Sequence, residues 1–145
     1  SITFLLNTSI VSHAIEFHDA ADNIFAADLI LNERANVDGD AFLLGETINF
    51  AGNAKGNILA AGNTAVNIST TDFKNAFVIA KGEVNIKGDA KAIYAFGNTI
   101  KINCNSECEF LIAKVVNVSG SINGDLTIIA TQINLDKNLV VTGNL

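Results

Sequence analysis

A period of about 17 residues runs through most of this 145-residue chain and constrains its fold more than any other feature. A polar or small residue followed by four mostly apolar ones recurs as Asn23-Ile-Phe-Ala-Ala, Asp40-Ala-Phe-Leu-Leu, Asn57-Ile-Leu-Ala-Ala and Asn75-Ala-Phe-Val-Ile. It continues as Ala92-Ile-Tyr-Ala-Phe, Glu109-Phe-Leu-Ile-Ala and Asp125-Leu-Thr-Ile-Ile, at spacings of 17, 17, 18, 17, 17 and 16. A second motif keeps the same phase: Ile48-Asn49-Phe50, Val66-Asn67-Ile68, Val84-Asn85-Ile86, Ile100-Lys101-Ile102, Val116-Asn117-Val118 and Ile133-Asn134-Leu135. Two motifs locked to one period mark an internal structural repeat.

At roughly 3.3 Å per strand residue, such a coil has room for three short strands joined by sharp corners. The apolar-polar-apolar triplets have period two, so Ile48 and Phe50 point inward and Asn49 outward. Coils stacked about 4.8 Å apart satisfy one another's backbone groups, and no single coil can bury its own apolar face. Glycines at the corners are read as supplying positive φ. The predicted fold is an all-β, single-stranded β-helix, a right-handed triangular solenoid of about seven coils over residues 23–145, cut at the start of an eighth at Gly143-Asn144-Leu145.

Three sets of residues stand out. The first strand is apolar on both faces, one alternation being Ile24, Ala41, Ile58, Ala76, Ile93, Phe110 and Leu126. The other, Phe25, Phe42, Leu59, Phe77, Tyr94 and Leu111, forms an apolar stripe if it lies outside, which marks either an interface or a surface covered by another segment. The column Asn49, Asn67, Asn85, Asn117 and Asn134, broken by Lys101, is read as a hydrogen-bonded amide ladder or as a binding face. Cys104 and Cys108 fall where other coils carry Gly. A disulfide, two small buried thiols and a metal site all stay open: four residues of extended chain span about 13 Å against a usual Cα separation of about 4.4–6.8 Å, and His13 and His18 are remote.

Residues 1–14 read as a signal-peptide remnant, from the apolar stretch Ile2 to Val11 followed by Ser12-His13-Ala14, with residues 15–22 as a connecting segment. The absence of Met agrees with a chain that begins partway through a gene product. An exported protein of the periplasm or cell envelope is therefore expected. A net charge of −6 with nine scattered Lys and Arg argues against nucleic acid as a partner. No cofactor, metal or catalytic constellation is expected: the acidic residues sit at corners as turn formers, and no His follows His18.

The pairs Gly39-Asp40, Gly56-Asn57 and Gly124-Asp125, with the triplets Val84-Asn85-Ile86 and Val116-Asn117-Val118, make residues 23–145 resemble the bactofilins, polymer-forming bacterial cytoskeletal proteins. The resemblance implies a right-handed triangular β-helix that polymerises end to end without nucleotide, often attached to membrane. Bactofilins are mostly cytoplasmic and carry disordered flanks, so this chain resembles an exported variant. A hexapeptide acyltransferase would need strict six-residue steps, which spacings of 16 to 18 violate. The expected function is a non-enzymatic envelope scaffold that associates with itself and with membrane or cell-wall components. The alternatives are a binding module or adhesin and, last, a β-helical carbohydrate-active enzyme.

Overall fold

The computed structural model describes residues 22–145. The expected signal remnant and all but the last residue of the connecting segment lie outside the described residues. Within them the chain is a parallel β-solenoid with no helix. Its strands are β1 (Ile24–Glu33), β2 (Asn36–Val37), β3 (Ala41–Phe50), β4 (Asn53–Ala54), β5 (Ile58–Asp72), β6 (Asn75–Ala80), β7 (Glu83–Asp89), β8 (Ala92–Phe96), β9 (Thr99–Leu135) and β10 (Val140–Val141). The pairings between them are parallel, each strand lying on its counterpart one coil away.

Each coil has three sides. On the first, Ile24, Ala41, Ile58, Ala76 and Ile93 stack in one inward column. On the second, Leu31, Ile48, Val66, Val84 and Ile100 do the same. All ten are buried, and burying each Leu, Ile or Val contributes about 1.5–3 kcal/mol. The third side is short, with Val37, Ala54, Phe73 and Ile122 turned inward. β-branched residues dominate the columns because an inward-facing strand position favours a stiff branched side chain.

The varying coil length is absorbed at corners, so the sides keep their alternation. The 18-residue step enters by a register shift between Gly45 and Thr47 and leaves by another between Ser69 and Asp72. The 16-residue step falls between the pairs Ile79↔Phe96 and Glu83↔Thr99. That position lies before the sixth coil's first side rather than after it, which corrects the sequence alignment there. Ala92 pairs with Cys108, Ile93 with Glu109, Tyr94 with Phe110 and Ala95 with Leu111. A slip of one residue exchanges the two faces of a strand. Leu111 is consequently in the core, not in the outer stripe, and Phe110 takes its place outside.

The glycines serve close approach more than backbone handedness. Gly88 (φ 136°) and Gly120 (φ 103°) do occupy the left-handed region. At Gly52, by contrast, a Cβ would run into the Ala35 carbonyl of the neighbouring coil, with no positive φ involved. The expectation that corner glycines supply positive φ therefore holds at few positions. Corner Asp and Asn add a second device: Asp40 Oδ1 accepts from the Asn57 backbone N–H at 2.7 Å, and Asn23 Oδ1 accepts from that of Asp40 at 2.8 Å.

Candidate functional site

The first side carries an apolar outer face two columns wide. The column nearer the anchor holds Phe25, Phe42, Leu59, Phe77, Tyr94 and Phe110, and its rings stack along the solenoid. Phe25 and Phe42 have centroids 4.6 Å apart at an interplanar angle of 4°, and Phe77 and Tyr94 are 4.9 Å apart at 6°. The second column, Leu44, Ala61, Ile79, Phe96 and Ile112, escaped the sequence reading, although it is the next member of the same alternation two residues on. Between the columns lies an open apolar groove of about 580 Å³ floored by Ala60, Ala61 and Val78.

The second side presents the amide ladder. Asn49 Nδ2 donates to Asn32 Oδ1 at 2.9 Å, Asn67 to Asn49 at 2.9 Å and Asn85 to Asn67 at 2.8 Å. Asn32 is thus a further rung, hidden from sequence reasoning because Leu31-Asn32-Glu33 ends in an acid. Lys101 interrupts the run, and it resumes with Asn134 donating to Asn117 at 2.9 Å. Around the break, Asn85, Lys101, Asn117 and Asn134 line a groove of about 490 Å³. Each rung contributes about 1 kcal/mol at most, because the alternative is a bond to water. Asn67→Ala, which removes two bonds of the ladder, should cost about 1–2 kcal/mol in chemical denaturation, whereas a loss under 0.3 kcal/mol would show the amides to be ornamental.

A buried polar cluster lies at the junction of the fifth and sixth coils, in a first-side column that is otherwise apolar. Glu109 occupies the place of Ile93, is 1% exposed, and accepts a bond from Ser106 Oγ at 2.7 Å through Oε2. Its Oε1 is buried and has no hydrogen-bond partner among the described residues. Burial pushes the carboxyl up to about 7, with the Ser106 bond pulling the other way. Cys104 lies beside it, and burial, reinforced by the Glu109 carboxylate, raises its thiol to about 12. Cys104 donates weakly to the Ile86 carbonyl at 3.5 Å.

Both cysteines are free, so the disulfide among the alternatives is not formed in this structure. Cys108 is half-buried at the corner, its thiol also raised by burial and then by Asp125 and Glu109. Native protein at pH 8 should therefore take up one maleimide at Cys108 and a second, at Cys104, only on unfolding. Two equally fast labelling steps counted by intact mass would contradict the buried placement of Cys104.

Among the described residues no group of three or more His, Cys, Asp or Glu is placed to hold a metal ion, and no helix is long and apolar enough to cross a membrane. Compared with known proteins, the chain matches no family model, no curated protein and no solved structure.

Proposed function

We propose that the protein is a non-enzymatic structural scaffold of the bacterial cell envelope that self-associates by coil-on-coil stacking at the ends of its solenoid. The observation that supports this reading is the face of the seventh coil. Asn134 donates to Asn117, which sets Ile133 over Val116 and Leu135 over Val118. Val116 and Val118 are buried, yet Ile133 is 46% and Leu135 40% exposed. With Leu126 and Ile128 they line a concavity of about 530 Å³. The surface is the one that each coil below covers with its neighbour, and a further coil, from this chain or another copy, fits it by the same parallel ladder. The bactofilin resemblance and the signal-like residues 1–14 support the polymer and the envelope respectively.

Negative-stain electron microscopy and sedimentation velocity test the proposal. Purified protein should form filaments of uniform width, and Leu135→Lys should abolish them while leaving the circular dichroism unchanged. A monodisperse monomer at 100 μM and above would sink the idea. One observation favours a second reading, a module that binds glycan or protein: the flat amide face with Lys101 at its break. Specific retention on a glycan array, lost in Lys101→Ala, would select that reading instead.

A further inference from the structure

We infer that the apolar outer face of the first side is a second association surface, which packs against the same face of another copy of this chain. This lateral contact is independent of end-to-end stacking and uses different residues. The face holds Phe25, Phe77 and Ile79 at 53%, 46% and 56% exposure, with Leu44, Leu59 and Phe96 more than a third exposed. With full side-chain surfaces of roughly 150–250 Å² for the aromatics, these exposures and those of the half-buried Phe42, Tyr94 and Phe110 amount to on the order of 600 Å² per copy. That stands at the top of the about 300–600 Å² that the largest open patch on a monomer ordinarily reaches. Two such faces together would bury on the order of 1,200 Å², the lower bound for a specific interface.

Three features favour a second copy as the occupant. The face is uncharged across its two columns, with Lys81, Lys114 and Asp125 standing at its margins. A chain of net charge −6 can therefore bring two copies together there without placing like charges in contact. The same charge, with no basic cluster on the face, disfavours an anionic lipid surface. The side-chain rows of the two faces also share one repeat, the coil spacing of about 4.8 Å, so the rows of one sheet fall between those of the other along its whole length. A partner of unrelated fold would not carry this repeat. The parallel ring stacks hold the large side chains in place before contact, which lowers the ordering cost of association.

The test uses the full chain and two single substitutions at exposed positions, Ile79→Glu and Phe77→Glu, each checked for an unchanged circular dichroism spectrum and melting midpoint. Combining each with Leu135→Lys removes end-to-end growth, so sedimentation equilibrium then reads the lateral contact alone. Leu135→Lys by itself should give a dimer, and each added glutamate should raise the dissociation constant at least tenfold. A monomer in Leu135→Lys at 100 μM, or a dimer indifferent to both glutamates, overturns the inference. So does flotation with phosphatidylcholine vesicles that Ile79→Glu abolishes in place of dimer loss. Faster proteolysis of residues 2–11 in Ile79→Glu, with no change in mass, would assign the face to this chain's own N-terminal stretch and overturn it equally.

Discussion

Replacing Glu109 by Gln should make the protein more stable above pH 7 by about 3 kcal/mol and leave it nearly unchanged at pH 4.5. The carboxyl sits in a column otherwise filled by Ile24, Ala41, Ile58, Ala76 and Ile93, with Ser106 as its hydrogen-bond partner. In the folded protein it titrates near 7 rather than at its ordinary 4.5. A folded-state value above the unfolded one means that the native state holds the proton more tightly. Stability is then greatest below pH 4.5 as far as this group is concerned, and declines by about 1.4 kcal/mol per pH unit between 4.5 and 7. Above 7 both states are ionised and the loss levels off. The facing titratable groups are Cys104 and Cys108, whose thiols stay protonated over that window because both are raised, and Asp89 and Asp125, which are exposed. Gln removes the charge and retains an acceptor for Ser106, so its urea midpoint should be flat from pH 5 to 8 where wild type falls. Parallel slopes in the two proteins would place the pH dependence elsewhere.

Glu109 also marks where the sequence misleads and why. The period, the inward columns and the outward amides were all legible, because alternation and coil length leave one way to bury Ile48, Val66, Val84 and Ile100 together. The sixth coil was not. A motif search aligns Glu109 with the polar anchors Asp40 and Asn57, because an acid at an inward position is what hydrophobic patterning rejects. The backbone decides otherwise: the short step is taken at the corner before Thr99, and parallel pairing then carries Glu109 into the core along with Leu111. The compensation is a better outer face, since Phe110 joins the ring column and lies 6.4 Å from Phe96. The wider apolar face was half legible, because the aromatic column is conspicuous while Leu44, Ile79 and Phe96, two residues further along the same alternation, were not singled out. The coil-to-coil glycines were read by the wrong cause, since the approach of a neighbouring carbonyl leaves no local trace in the chain.

Gly120→Ala should lose about 3–5 kcal/mol, a large effect for one methyl group, while Gly97→Ala should lose less than about 1 kcal/mol. Gly120 has φ 103°, where a side chain is strained by about 1–3 kcal/mol. Its Cβ would also strike the Cys104 carbonyl oxygen and lie 2.9 Å from the carbonyl carbon, both backbone atoms of the coil beneath. Neither can rotate away, so the two coils must separate locally, and each ladder hydrogen bond weakened adds about 1 kcal/mol. At Gly97 a Cβ meets the Val84 Cγ2 methyl at 3.3 Å, and a side chain can give by a few tenths of an ångström. Stability in a stack of repeats is a sum of coil and nearest-neighbour interface terms, so the Gly120 loss should concentrate at the junction of the fifth and sixth coils. Hydrogen exchange should then show Val116 to Leu135 opening first while Ile48 to Ile86 stay protected. Equal losses at the two glycines, or exchange that rises uniformly along the solenoid, would mean that coil-to-coil contact at Gly120 does not set the spacing. If it does, the same contact keeps the seventh coil's Ile133 and Leu135 in register with the columns below, and the face on which the proposed end-to-end growth depends should fail in Gly120→Ala before the rest of the solenoid does.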